Sequence, residues 1–187
     1  MNAEIIAIGS EILLGQIIDT NSSHIAKSFA DNGIELVQTT TVGDDLQRMK
    51  EAIQEAIHRS QIVITTGGLG PTEDDLTREA IAEITLRPLV FQPHLMEQIE
   101  ALFKRRGFRM TENNRKQAYI PEGAIPIENP KGTAPGFIVE GSNWVTISIP
   151  GVPFEMEYLM ENTVIPYIRK RFNLQRQVVR YKVLRAC

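Results

Sequence analysis

"QIVITTGGLGPTEDDLT" (Gln61–Thr77) is an apolar, β-branched run followed at once by three glycines, a proline and two adjacent aspartates. Ile62, Val63 and Ile64 show no polar alternation, the pattern of a parallel strand covered on both faces. The glycines that follow end the strand and allow close approach of the backbone to another group. Three readings of this loop compete: a turn with an acidic helix cap, a phosphate cradle, and a metal-dependent catalytic loop.

Working outward, the strand is the third of an alternating series. "AEIIAIG" (3–9) reads as a first buried strand ending in glycine. "DTNSSHIAKSFADNG" (19–33) offers Asp19, Thr20 and Asn21 as N-cap candidates, places Ile25 and Phe29 on one face, and stops at Asn32-Gly33. "IELVQTTTVG" (34–43) is strand-like, and "DDLQRMKEAIQEAIHRS" (44–60) carries a helical stripe of Leu46, Met49, Ile53, Ala56 and Ile57. The order βαβαβ predicts an α/β fold with a mainly parallel sheet. Ligands of such sheets bind beyond the carboxyl ends of the strands, so "GSEILLGQ" (9–16), "VGDD" (42–45) and "GGLGPTEDD" (67–75) are expected to converge there.

Further along, a helix is expected around "TREAIAEI" (77–84). A longer one starts at Pro93, with Leu95, Met96, Ile99, Leu102 and Phe103 on one face, Lys104 to Arg106 in the last turn and Gly107 as cap. "RMTENNRKQAYIPEG" (109–123) predicts a short exposed helix or lid capped by Thr111. "GFIVEGSNWVTISIPG" (136–151) predicts a β-hairpin turning at Gly141-Ser142-Asn143, and a final helix from Pro153 is expected to kink or split at Pro166. "RQVVRYKVLRAC" (176–187) reads as a strand without a partner, the start of a truncated second domain. The expected division is 1–171 for the α/β domain and 172–187 for a linker and that start.

At 187 residues, 42% hydrophobic and 23% charged, the chain can bury one good-sized core. Its net charge of −3 argues against general nucleic-acid binding, which needs a basic surface. The one cysteine, Cys187, allows no disulfide within the chain and suits a reducing compartment. The opening "MNAEIIAIGSEILLGQ" lacks a basic leader and carries Glu4 and Glu11, so neither a signal peptide nor a membrane span is expected and the location predicted is cytoplasmic.

In the loop itself, a row of amides from Gly67, Gly68, Leu69 and Gly70 suits an anion, and Thr72 or a neighbour is placed to cap the following helix. Asp74 and Asp75 would repel that anion unless a divalent ion bridges them, which suggests Mg²⁺ or a similar metal. The plain alternative, a Gly-Pro turn with aspartates capping a helix, stands about even on composition. No Gly-Lys-Ser/Thr follows the glycines, and "GSEILLG" is no dinucleotide fingerprint. Lys131 and Thr133 are candidate phosphate ligands, against a solvated turn at that segment. Glu11 is equally a water- or metal-orienting carboxylate and an exposed one. Asp44, Asp45 and Asp19 favour capping. His24, His58 and His94 lack metal-ligand spacing and are read as structural, and the basic runs at helix ends as favourable end charges.

"TTGGLGPTEDDLT" (65–77) resembles the signature of the molybdopterin-binding fold shared by Mog/MoaB-type and CinA-type competence/damage-inducible proteins. "IAIGSEILLGQIIDTN" (6–21), "NPKGTAPGF" (129–137) and "IPGVPFEM" (149–156) are similar to further segments of the CinA branch, in the same order. The resemblance implies a three-layer α/β/α domain, commonly homo-oligomeric. In full-length relatives a C-terminal amidase-type domain accompanies it. It also implies metal-dependent hydrolysis of ADP-ribose or a related nucleotide diphosphate to AMP and ribose 5-phosphate, with Mg, Mn or Co. The Mog-like alternative is binding and adenylylation of molybdopterin, and a third is a non-catalytic nucleotide- or pterin-binding regulatory domain. On the hydrolytic reading Asp75, Asp74 and Glu11 are catalytic, with Asp75 and Asp74 as metal ligands. Gly67, Gly68, Leu69, Gly70 and Thr72 would bind substrate, joined by Asn129, Lys131, Gly132 and Thr133 and by Pro150 and Gly151. A small nucleotide is then the partner, with no nucleic acid and no membrane.

Overall fold

The computed structural model describes residues 1–174. The strand-like segment from Arg176 onward lies outside the described residues. The apolar runs form β1 (Asn2–Ile8), β2 (Glu35–Val42) and β3 (Ile62–Thr66), joined through α1 (Ser10–Leu13), α2 (Thr20–Asp31) and α3 (Leu46–Arg59). Then come α4 (Thr77–Thr85), β4 (Leu89–Phe91), α5 (Pro93–Arg106), a 3₁₀ helix over Glu112–Ala118, β5 (Tyr119–Pro121) and β6 (Ile125–Ile127). The expected hairpin is β7 (Gly136–Glu140) with β8 (Val145–Ile149), and α6 (Pro153–Leu159) and α7 (Ile165–Arg171) close the described chain.

The main sheet has the order β2-β1-β3-β8-β7-β6; the first four strands are parallel and the last two pair antiparallel. Both faces are covered, because successive side chains of each strand point to opposite sides. Ala3, Ile5, Ile62, Ile64 and Ile147 pack with Phe29 of α2 and Leu159 and Ile168 of α6 and α7. Ile6, Ile8, Val63 and Phe137 pack on the other side with Ile53 of α3, Ile81 of α4 and Ile99 of α5. Three layers result. Glu4 is the polar exception inside β1, and its buried carboxylate accepts from Arg59 Nη2 at 2.8 Å and Ser60 Oγ at 2.8 Å.

Local signals explain most boundaries. Asp19 Oδ1 caps α2 by accepting from the Ser22 amide at 2.9 Å, and Asp45 Oδ1 caps α3 through the Arg48 amide at 2.9 Å. Pro93 opens α5, and Gly107 closes it in the left-handed region at φ 70°. One expectation needs correction. The 109–123 segment forms the expected short helix capped by Thr111, but it is not exposed throughout: Asn114, Gln117 and Ala118 are buried, and Ile120 joins the core. Near Pro166 the final helix is interrupted as expected, with Met160–Val164 forming one π-helical turn between α6 and α7. A wider turn just before a proline is one way for a helix to accommodate its missing amide hydrogen. Among the described residues, no helix is long and apolar enough to cross a membrane.

Ile64 is fully buried at the centre of the sheet. Ile64→Ala is expected to destabilise the fold by about 2–5 kcal/mol. Urea unfolding should show a lower midpoint at unchanged slope.

Candidate functional site

The carboxyl ends of β1, β2, β3 and β8 deliver four loops to one cleft of about 620 Å³. The first carries Gly9 and Glu11, the second Asp44, the third Gly67 to Asp75, and the fourth Pro150 to Pro153. Convergence of the first three was expected; the fourth follows from β8 lying beside β3.

The Gly-rich loop is held from behind. Thr77 Oγ1 donates to Gly67 O at 2.9 Å and the Thr77 amide to Gly68 O at 3.2 Å. Arg78, fully buried, donates through Nη2 to Leu69 O at 2.6 Å and through Nη1 to Gly70 O at 3.5 Å. Lys116 Nζ bonds Thr72 O at 2.9 Å and Asp75 O at 2.6 Å. With the carbonyls so engaged, the amides of Gly68, Leu69 and Gly70 find no acceptor among the described residues. A peptide plane whose oxygen is tethered inward presents its N–H on the opposite side, as an anion nest requires.

Burial lowers the Arg78 guanidinium to about 10, against the charges of Glu79 and Asp75, so it stays cationic at neutral pH. Lys116 also lies 3.5 Å from Glu79. Both cations therefore act on the loop through its peptide groups. The cleft wall itself carries the carboxylates of Glu11, Asp44, Asp74, Asp75 and Glu155 and, among the described residues, no lysine, arginine or histidine.

Glycine is required at two points for different reasons. Gly67 has φ 105°, and a Cβ there would lie 2.2 Å from Ile8 O. At Gly70 the space of a Cβ is filled by the Asp75 carboxylate, 2.4 Å away at Oδ2. That same Oδ2 accepts from the Thr72 amide at 2.8 Å and from Thr72 Oγ1 at 2.6 Å. Thr72 therefore braces Asp75 and does not cap α4, whose N-cap position is Leu76 without a side-chain bond. The start of α4 faces the loop's own carbonyls through Thr77.

The remaining expected residues divide. Asp74 is exposed at the cleft; Glu11 folds over Gly9, where a Cβ would meet its Oε1 at 2.6 Å. Thr133, Pro150 and Gly151 line the cleft, while the side chain of Leu69 belongs to the core. Lys131 does not reach the cleft wall: its ammonium stands 5.1 Å from the centre of the Tyr158 ring. Asn129 and Gly132 lie behind Thr133 as scaffold. Asn129 Oδ1 accepts from the amides of Lys131 at 3.1 Å and Gly132 at 3.0 Å. Asp44 is no helix cap, since its Oδ2 accepts from the Ser10 amide at 2.9 Å and so ties the first two loops together.

Sequence reading passed over Glu155, Arg78 and Lys116. Glu155 is buried at the cleft edge, where Oε2 accepts from Asn129 Nδ2 at 2.7 Å, and a Cβ on Gly132 would collide with it. Burial pushes its carboxyl above the ordinary glutamate range, with the Asn129 bond and the Arg106 charge pulling partly back. Its presence in "IPGVPFEM" (149–156) was the available signal. For Arg78 there was none, because arginine is rarely fully buried.

The whole of this arrangement falls within one family. The model described as "Probable molybdopterin binding domain" matches residues 4–170, and the chain belongs to that family. It is 54% identical over 174 residues to a competence-damage inducible protein of Halothermothrix orenii, covering 93% of this chain and 42% of that one. A CinA-like protein of Kosmotoga olearia is 50% identical over 185 residues, covering 99% and 44%. The chain thus spans less than half the length of these curated relatives. Among solved structures, a CinA protein of Thermoplasma acidophilum matches with TM-score 0.80 at 35% identity, covering 91% of this chain and 96% of that one. MoaB of Thermus thermophilus, at 18% identity, TM-score 0.61 and coverage of 92% and 94%, shares the fold. The resemblance to the CinA and Mog/MoaB types, and the three-layer fold it implied, are both borne out.

Two outcomes are expected from this geometry. Gly67→Ala should displace the loop and weaken anion binding, read by titration with pyrophosphate. For Glu155 the folded state holds its proton more tightly than the unfolded chain. Stability should therefore fall as pH rises from about 4.5 through its raised value. Glu155→Gln should flatten that part of a stability–pH curve.

Proposed function

We propose that the cleft binds a phosphorylated heterocyclic ligand, with the phosphate on the amides of Gly68, Leu69 and Gly70. One observation carries this reading: the carbonyls of that loop are tethered inward by Thr77 and Arg78, which turns its N–H groups toward the cleft. The family description favours a pterin of the molybdopterin type as the ligand. The corresponding chemistry is adenylylation of such a ligand by ATP, in which the ligand's phosphate oxygen bonds the α-phosphorus and pyrophosphate leaves.

A second reading rests on a separate observation, the carboxylates around the cradle with no cationic side chain among them in the described residues. Acidic groups beside a phosphate site repel the ligand unless a divalent cation accompanies it. Among the described residues, no group of three or more His, Cys, Asp or Glu side chains is poised to hold a metal. That donor set fits Mg²⁺, which is commonly held by one or two carboxylates together with substrate phosphates and water. Asp75, with Asp74 beside it, would hold the ion. When bound, a cation of this kind neutralises phosphate charge and acidifies water. The chain's part is positioning: the amides orient the diphosphate, and Thr72 keeps Asp75 turned to Gly70. On this reading the reaction is hydrolysis of ADP-ribose or a related nucleotide diphosphate to AMP and ribose 5-phosphate.

Calorimetry with molybdopterin and with ADP-ribose, each with Mg²⁺ or with chelator, separates the two. The hydrolytic reading expects AMP to appear from ADP-ribose only with a divalent ion, and Asp75→Ala to slow it by about 10²-fold or more. Unchanged ADP-ribose, with tight binding of molybdopterin, leaves the pterin reading standing alone.

A further inference from the structure

The main sheet ends in two strands of opposite character. At one edge, β6 (Ile125–Ile127) is three residues long and carries Pro126, which has no amide hydrogen to offer a further strand. At the other edge, β2 (Glu35–Val42) runs for eight residues, and no strand among the described residues pairs with its outer side. Edge strands that stay single are blunted by shortness, charge, proline or a bulge. From Leu36 to its end β2 has no charge and no proline, only Leu36, Val37, Gln38, three threonines and Val42. Its one protective device is a bulge: Ala3 stands opposite Leu36 and Glu4 opposite Gln38, so Val37 is the extra residue. Beyond that bulge, residues 38–42 form a regular, uncharged and open edge.

The surroundings of this edge are apolar at both ends. Leu13 and Leu14, which close α1, are 54% and 70% exposed, and Val37 is 46% exposed. Leu13 lies at the carboxyl end of β2, where its Cδ1 is 3.3 Å from the place of a Cβ on Gly43. Val37 lies at the opposite end of the open stretch. Antiparallel pairing of residues 38–42 with the same residues of a second copy puts the two-fold axis at Thr40, with 38 opposite 42 and 39 opposite 41. One residue further, the same register sets position 43 opposite 37. Leu13 of each copy then comes beside Val37 of the other, once at each end of the pairing. A two-fold axis also brings like side chains together, so a charge near Thr40 would repel its own copy, and residues 38–42 carry none. The edge is thus complementary to itself: open main-chain groups in the middle and an apolar contact at each end.

We propose that the β2 edge is the interface between two copies of this chain, which pair antiparallel about Thr40 and join their six-stranded sheets into one continuous sheet. Antiparallel pairing points the carboxyl ends of the two parallel sets in opposite directions. The two clefts therefore open at opposite ends of the joined sheet, and neither copy closes the other's. The interface still reaches each cleft through its own first two loops. β2 runs directly into Asp44, whose carboxylate accepts from the Ser10 amide at 2.9 Å, and α1 carries Glu11 on the cleft wall. Covering Leu13 holds α1, and Glu11 with it, against the end of β2. The dimer does not depend on which ligand the cleft takes.

Light scattering of the full chain over a dilution series tests the interface. The wild type is expected at twice the chain mass. Thr39→Lys adds a charge to the open edge, and Leu13→Ser with Leu14→Ser removes the apolar ends; each should raise the dimer dissociation constant by about tenfold or more. The register is read separately by oxidation, in a Cys187→Ser background that leaves no other thiol. Thr40→Cys, at the axis, should form a disulfide between copies, whereas Ser142→Cys, exposed at the β7–β8 turn, should not. A monomeric wild type overturns the proposal. So does a dimer that neither Thr39→Lys nor the serine pair weakens, or one that cross-links at 142 and not at 40. Circular dichroism checks that each variant is folded; should either light-scattering variant unfold, the cross-linking pattern decides alone.

Discussion

The tethering of the Gly67–Gly70 carbonyls is the constraint on which the cleft depends. A glycine-rich loop has many conformations available, and most of them do not present a row of amides to one side. Here the direction is set by donors rooted in α4: the Thr77 hydroxyl and amide, and the guanidinium of Arg78. A fully buried arginine is expensive to desolvate, as its depressed proton affinity reflects. Its hydrogen bonds to main-chain oxygens partly offset that cost and give the loop one conformation.

The electrostatic arrangement follows from the same geometry. Positive charge reaches the cleft from behind, through peptide groups polarised by Arg78 and Lys116, while the exposed wall is acidic. A surface of that kind suits an anion in the loop yet discourages a second anion elsewhere in the cleft unless a cation accompanies it. Asp75 connects the two halves. Its carboxylate occupies the place of a side chain on Gly70, is fastened by Thr72, and shares its loop with the carbonyl that Lys116 grips. Behind Thr133, the bond from Asn129 to Glu155 plays a comparable bracing part for the fourth wall.

Sequence alone determined the α/β alternation, the caps at Asp19 and Asp45 and the convergence of three loops, because these rest on local periodicity and on the general topology of parallel sheets. It also offered the glycines and the two aspartates of the loop as candidates, with a plain turn about even, and the resemblance to Mog-type loops pointed to Asp75. Tertiary structure alone decided which polar groups serve the cleft. Lys131 had the right chemistry but turns to Tyr158, and Asp44 had the right position for a cap but bonds Ser10. Lys116 and Glu155 act between segments distant in the chain, and Arg78 turns back on the loop that precedes its own helix. Their partners, and hence their roles, exist only once the layers pack, because a hydrogen bond depends on distances of a few ångströms that no local pattern encodes.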